Sequence, residues 1–549
     1  MANGKKVTLA TKILSSCWFV LKKFGGNRKW IQKKLVADVQ EILAANGDFS
    51  NLSDKEVYAP SIQVDRKNVY FILHEDGKKC LVACESGNTV GDFDAVATED
   101  AGNGKTLVVA ELNQKNNEAI SSRFPWVKPI SRHGYKYTFG LGDRLGTASN
   151  AHLRLFKGRG IFPILAQQSI RELLLTDRTE LDVVQSASWA VFEEGYTTGW
   201  GADGDHVKEP YEVEYAVESG CTMITLDATK KIHNEIADLS DSELDAKFNA
   251  LDPEFVTRFN NDYLDKTFKI GDNSEVHFDK KDVEQSVLIY FDAVVYATYI
   301  YHRFVVPNNL DFEISMDETI VPTTPANHYF FANELKNNNI TPETIAPKFY
   351  GEFQKAIDYI GDLDRFEREY IVHESIAETF GYRLSIHSGS DKLSVYPIIG
   401  RLSKKNGWHV KTAGTNWLEA LRVIAKEDPK LMQEIYKYSF DNLADVKPFY
   451  VFHAEQSNSP KPETINDSNV MSLLTDDNPR QILHTMYGNV LNYQESFKYV
   501  YRDRFFDTLN KHQDEYDDFL NRHISEHIDL LQGKAATKEE VKAKYEPKN

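Results

Sequence analysis

From residue 135 onward the chain alternates short apolar runs with longer stretches in which apolar residues recur at helical spacing. The runs read as strands are "YKYTFGLGDR", "IFPILAQQS", "YTTGWGADGDH", "CTMITLDAT", "LDFEISMDE", "TIAPKFYGE", "YRLSIHSGSD" and "WHVKTAG". Amphipathic helices fall between them, among them "DVVQSASWAVFEEG", "DVEQSVLIYFDAVVYATYIYHRF" and "DRFEREYIVHESIAETF". Strand–helix alternation of this kind signals a parallel sheet, and eight repeats predict an α/β fold of the (β/α)8 TIM-barrel type. An insertion near 230–280 interrupts the alternation after the fourth strand, and helix-rich sequence follows "WHVKTAG" to a charged tail. Before the barrel, a basic helix ("RKWIQKKLVADVQEILAANG") precedes strand-like runs "NVYFILHE", "KKCLVACES" and "KTLVVAELN", with "EDAGNGK" as a turn. The predicted domains are an N-terminal α/β unit at 1–130, the barrel at 131–430 and a helical C-terminal extension at 431–549.

Composition narrows the classes. A 549-residue chain with 41% hydrophobic residues can bury a large core, and its net charge of −18 argues against nucleic acid as a partner. Four cysteines are too few for a disulfide framework, and Cys80 and Cys84 have no second pair to complete a zinc site, which fits a reducing cytoplasm. The early run "ILSSCWFVL" is followed by lysines without a cleavage site, and no stretch approaches the ~18 apolar residues of a membrane span. The expectation is a cytoplasmic protein that engages no membrane.

In a TIM barrel the chemistry sits at the C-terminal ends of the strands. Polar residues gather there: Asp143 and Arg144, Gln167 and Gln168, Asp205 and His206, Asp227, Glu313 and Asp317, Glu352, His387, Asp391 and Lys392, and Lys411. The stretch "GWGADGDHVK" places Asp205 and His206 at the mouth of the third strand, and Lys208 stands where a calcium loop would need its turn glycine. A solvated turn is the bland reading of the same residues. "LSIHSGSDK" repeats the arrangement around His387. Two histidines with carboxylates nearby predict one divalent metal ion of the Mn, Ni, Zn or Co kind. Glu352, which follows a strand, is the preferred third ligand, with His328 the alternative. Glu313 alternates with Phe312 and Ile314, so it points into the barrel and is an acid–base candidate, against a plain salt bridge to a barrel lysine. There is no P-loop, no dinucleotide fingerprint in "FGLGDRLG" and no nucleophile elbow, so no nucleotide cofactor is expected.

The motifs "FGLGDRLG", "FPILAQQSIRE", "GWGADGDHVK", "SMDET", "RLSIHSGSDKLSVYP" and "HVKTAGT", in that order from about residue 120 to about 530, resemble the tagaturonate/fructuronate epimerase family. Some members of that family, or variants of them, act on the matching neutral sugars as tagatose 4-epimerases. The first ~65 residues match poorly. The resemblance implies a metal-dependent C4 epimerase of D-tagaturonate and D-fructuronate, with Asp205 as proton acceptor, Glu313 as proton donor, and His206 and His387 as metal ligands. Because C4 is not acidified by the C2 ketone, inversion calls for retro-aldol cleavage of C3–C4 and re-addition. Lys392, Lys411 and Arg144 suit the substrate carboxylate, and Gln168 and Asp143 its hydroxyls. The expected partner is thus a small keto-sugar or keto-hexuronate, with homo-oligomerisation left open. A metal-dependent aldolase or keto-sugar isomerase, and a non-catalytic sugar-binding protein, are the competing readings.

Overall fold

The computed structural model describes residues 57–545 apart from 66–67, 76–77, 87–90, 273, 448–449 and 451. The basic helix read at 28–47 lies outside the described residues. The chain divides into two compact units between Pro125 and Trp126.

The first unit holds β1 (Gln63–Asp65), β2 (Asn68–Glu75), β3 (Lys78–Ser86), β4 (Ala95–Gly102) and β5 (Lys105–Ala110), an antiparallel sheet in the order β1-β2-β3-β5-β4. Val69, Phe71, Leu73, Val82, Cys84 and Leu107 form its core. The three strand-like runs are β2, β3 and β5, and "EDAGNGK" makes the β4–β5 turn, with Gly102, Asn103 and Gly104 all at positive φ. The helix Gln114–Arg123 follows, capped by the Asn113 side chain.

The second unit is built on β6 (Tyr137–Leu141), β7 (Phe162–Ser169), β8 (Gly201–Val207) and β9 (Met223–Asp227). The insertion then supplies the helices Asp241–Asn249 and Pro253–Tyr263 and a hairpin of β10 (Lys266–Ile270) and β11 (Ser274–Phe278). The barrel resumes with β12 (Asp311–Ser315), β13 (Thr344–Ala346), β14 (Arg383–Ile386) and β15 (Trp408–Thr412). These eight strands are parallel and close into a barrel, β15 pairing back onto β6 with Trp408 opposite Tyr137. All eight runs read from the sequence are the barrel strands. Several of the helices between them begin at capping boxes, such as Ser169 with Glu172 and Thr179 with Asp182.

Side-chain alternation sorts each strand into two faces. Leu141, Ile224, Leu226, Phe312, Ile314, Ile345, Ile386 and Val410 join the apolar layer shared with the helices. Glu313, Thr225, Thr344, Ser385 and His409 are equally buried but on the other face, inside the barrel. Phe162, Ile164 and Met223, with Tyr135, form a separate apolar cluster near the strand starts.

After β15 the helices Thr415–Glu427, Pro429–Asp441, Asp477–Thr485 and Gln513–Leu531 pack around a second apolar core that includes Trp417, Leu421, Ile435, Tyr487 and Phe505. Barrel and C-terminal helices make up one compact unit. Among the described residues no helix is long and apolar enough to cross a membrane.

Candidate active site

The polar interior centres on Lys411, from β15. Its ammonium meets Asp205 at 2.6 Å, Asp203 at 2.8 Å and Glu313 at 3.1 Å, and donates to Thr225 Oγ1 at 2.6 Å. Thr225 donates in turn to Asp203 (2.8 Å), and Thr344 donates to the second oxygen of Glu313. Glu313 is fully buried, pairs with Lys411, and also meets His387 Nε2 at 2.6 Å. The salt bridge to a barrel lysine is present at Glu313.

The electrostatics follow from one cation among three carboxylates in a dry interior. Burial pushes Asp203 up to about 6, with Asp205 and Glu313 adding to the rise against Lys411. For Asp205 burial acts upward as well, but Lys411 and His206 outweigh it and hold the carboxyl below its usual range. Glu313, despite its burial, is held well below by Lys411 and His387. Lys411 is raised by the three carboxylates in spite of desolvation.

Above this layer stand the two histidines. His206 lies in β8 at φ +52, beside the register irregularity between Gly204 and Val207 where β8 pairs with β9. A left-handed residue at a bulge re-aims its side chain, here toward the barrel mouth. His387 follows β14 directly, and the two rings meet edge to face with centroids 4.9 Å apart. Asp317, two residues beyond β12, approaches His387 Nδ1 to 3.0 Å. His206, His387 and Asp317 each present one ligand atom, all within 4.8 Å of one another. Nδ1 of both rings is buried and turned to a carboxylate, that of His387 to Asp317 at 3.0 Å and that of His206 to Asp227 at 3.8 Å, an arrangement of imidazoles and carboxylates that suits a cation. Burial opposes charge on His387, but Asp317 and Glu313 outweigh it and lift the imidazole to about 10.

Neither residue expected as third ligand joins this group. β13 ends at Ala346, before Pro347, so Glu352 lies in an irregular loop, where its side chain is 46% exposed, takes a hydrogen bond from Gln354 and stands 3.5 Å from His453. His328 sits on the helix Pro325–Asn337, fully buried, between His373 (2.9 Å) and Tyr382 (2.7 Å). The carboxylate grouped with both histidines is Asp317.

The expected substrate residues also separate. Lys392 is fully buried and gives its three protons to the carbonyls of Gln354 (2.7 Å), Ile357 (2.6 Å) and Ser390 (2.9 Å), so it has no donor left for a carboxylate. Lys411 is occupied by the interior carboxylates. Asp143 accepts the backbone N–H groups of Leu145, Gly146 and Ala148 and shapes the loop after β6. Arg144 pairs with Glu172 at 2.5 Å and keeps a buried, unpartnered Nη1. Gln168 accepts from Arg178 (3.2 Å), and its amide nitrogen is buried and unpartnered. The sequence reading missed Asp203, Thr225, Thr344 and His409. The period of two along β8 offers Asp203 beside Asp205, while threonines in strands carry no such signal.

A closed parallel barrel with a buried lysine–carboxylate network inside it and a His–His–carboxylate cluster at the C-terminal strand ends is the architecture of a TIM-barrel enzyme. The profile of the tagaturonate epimerase family (UxaE) matches residues 58–531. A Thermotoga maritima protein named tagaturonate/fructuronate epimerase is 38% identical over 483 residues, 87% of this chain and 97% of its own length. Crystal structures of the fructuronate-tagaturonate epimerase UxaE from Cohnella laeviribosi, native and with one glycerol bound, match with a TM-score of 0.84 at 39% identity, covering 91% of this chain and 99% of theirs. The chain belongs to the tagaturonate epimerase family and is an epimerase, an enzyme of the isomerase class.

Proposed function

We propose that the chain interconverts D-tagaturonate and D-fructuronate by inverting C4 through retro-aldol cleavage and re-addition. The observation that carries this reading is the placement of Asp205 and Glu313 on one lysine, Lys411, directly beneath His206 and His387. Asp205, kept ionised by Lys411 and His206 against its burial, takes the proton from the C4 hydroxyl. The C3–C4 bond breaks, its electron pair passes to the C2 carbonyl as an enediolate, and C4 becomes an aldehyde. Rotation of the aldehyde presents its other face, the bond reforms, and the new C4 oxygen takes a proton from Glu313. Lys411 and His387 hold Glu313 ionised at rest, so it must be loaded with a proton before it donates. In the reverse direction the two carboxyl groups exchange roles.

A divalent cation of the Mn, Ni, Zn or Co kind, held by His206, His387 and Asp317, would supply Lewis-acid stabilisation of the enediolate oxygens when bound. Two buried imidazole nitrogens and a carboxylate oxygen within 4.8 Å of one another fit such a group. No nucleotide has a role in this scheme. An NMR time course of D-tagaturonate with chelator-stripped protein, before and after adding Mn²⁺, Ni²⁺ or Zn²⁺, tests reaction and metal together. Metal-dependent D-fructuronate without solvent deuterium at C4 is expected, and D-tagatose is then tried in the same tube for D-fructose. Deuterium entering C4 overturns the retro-aldol route, persistent three-carbon products favour an aldolase, and no conversion with any metal removes the assignment.

A further inference from the structure

The helix Asp477–Thr485 belongs to the C-terminal helices, yet it is fastened to the loop after β13. Arg480 Nε donates to the Ala356 carbonyl (2.8 Å), and the Gln481 amide donates to the Lys355 carbonyl (3.1 Å) and to Gln354 Oε1 (3.0 Å). One turn on, His484 is 2% exposed, and neither ring nitrogen has a hydrogen-bond partner. Its ring lies against Gly414, two residues beyond β15, so closely that a Cβ there would stand 1.8 Å from Cε1. The imidazole therefore reaches the barrel mouth from outside the barrel's own βα units.

Two cations accompany it. Arg144, after β6, gives Nε (2.8 Å) and Nη2 (2.5 Å) to Glu172 and stacks on the Tyr487 ring at 4.0 Å, leaving Nη1 buried and unpartnered. Lys355 makes one hydrogen bond, to Ser388 Oγ at 2.8 Å, and no ion pair among the described residues. Ser388 directly follows His387, so this ammonium stands beside the candidate metal group. The same stretch of chain joins the three groups: Gln481 holds the Lys355 carbonyl at 3.1 Å, and Tyr487, three residues after His484, carries the Arg144 guanidinium on its ring at 4.0 Å. Burial first, then Arg144 and Lys355, hold His484 well below the usual imidazole range. Burial also lowers Lys355, with Arg171 and Arg144 adding to it against Glu172.

Buried donors without acceptors are costly, and cations clustered in a chain of net charge −18 require a reason. We propose that Arg144, Lys355 and His484 form an anion subsite that receives the carboxylate of the hexuronate and so selects uronates over neutral ketoses. The proposal rests on the epimerase reading above. Arg144 Nη1, the Lys355 ammonium and a neutral His484 N–H together supply donors for both carboxylate oxygens, while the ketone end of the sugar faces His206 and His387. A neutral ketose puts a hydroxymethyl group here and leaves the cations unmatched.

The test uses the full chain with Lys355→Met, Lys355→Arg and His484→Gln, each checked for folding by its thermal melt, with turnover followed by NMR and D-tagaturonate binding by calorimetry. In Lys355→Met the KM and Kd for D-tagaturonate rise about 10- to 100-fold, the worth of a charge-assisted hydrogen bond, while kcat moves much less. Lys355→Arg recovers most of the affinity, and His484→Gln raises KM in the same sense, which decides the matter should Lys355→Met not fold. Inhibition by D-tagatose is unchanged throughout. Unaltered D-tagaturonate affinity in both Lys355→Met and His484→Gln, or a fall in kcat at constant KM, overturns the subsite. A parent protein that binds D-tagaturonate without converting it overturns the epimerase reading alone, because the affinity comparison still decides the subsite. A parent that does not bind it overturns both.

Discussion

Glu180 opens the helix Glu180–Glu193, a position where the helix dipole favours a carboxylate, yet it is 2% exposed and its nearest polar partner is the Cys221 thiol at 3.3 Å. Burial wins, pushing Glu180 up to about 8, and the nearby Asp203 and Asp205 add to the rise. The folded state thus binds a proton between about pH 4.5 and 8 that the unfolded chain has released. The sign follows: this group's stabilisation is present below about pH 4.5 and is lost as pH rises toward 8. Glu180→Gln keeps the shape of the protonated acid, so its stability does not fall across that window. Denaturant unfolding at both pH values is expected to show the parent losing on the order of 4 kcal/mol relative to the variant. Parallel pH profiles would show Glu180 to be ionised.

At the scale of elements, what was legible in the sequence was the alternation. Each barrel strand sends apolar residues outward and polar ones inward, so Glu313 between Phe312 and Ile314 announced its direction before any coordinates. β4 was not legible, because "AVATEDAG" sets small apolar residues around Thr98, Glu99 and Asp100 with no apolar period, and only Ala101 is buried. The ends of elements were harder still. Glu352 stood in a run that continues past β13, but the strand stops at Ala346 and the loop turns its carboxylate to Gln354. Asp317, twice as far from His387 in sequence as Glu352, is delivered by a short turn after β12 that no periodicity encodes. Lys392 shows the same limit for lysines: nothing local separates it from Lys411, yet it ties the loop after β14 to the loop after β13 through the carbonyls of Gln354 and Ile357, its third bond going to Ser390 in its own loop. Lys392→Met leaves those acceptors buried and unpaired, at about 1 kcal/mol or more each. A loss of about 3 kcal/mol in denaturant unfolding is expected. A change below 1 kcal/mol would mean that water replaces the ammonium.

The C-terminal helices read from sequence as an extension, and within the second unit they pack over the barrel's closing seam. The helix Gln513–Leu531 lies along the seam where β15 returns to β6. It touches the first βα unit through Arg154 with Asp517 (2.7 Å) and Arg159 with Asp529 (3.2 Å), and the last through Tyr516 donating to the Asn416 carbonyl (3.0 Å). His527 accepts the Asp391 N–H at 2.9 Å, four residues beyond His387, so the same helix steadies the loop that carries a candidate ligand. Its end is packed backbone to backbone: a Cβ at Gly400 would stand 2.0 Å from the Leu531 carbonyl oxygen. Gly400→Ala must therefore displace the helix, because a carbonyl, unlike a side-chain tip, cannot swing aside. Overpacking of this kind costs about 1–3 kcal/mol. If the helix is an integral part of the barrel, calorimetry of Gly400→Ala shows a single lowered transition for residues 126–549, and the Asp391 amide exchanges its hydrogen faster. If the helices are a separate domain, a low-temperature transition splits off while the Asp391 amide keeps its protection. The single transition is expected, because the contacts of Gln513–Leu531 run to both ends of the barrel's strand order and not to one neighbour.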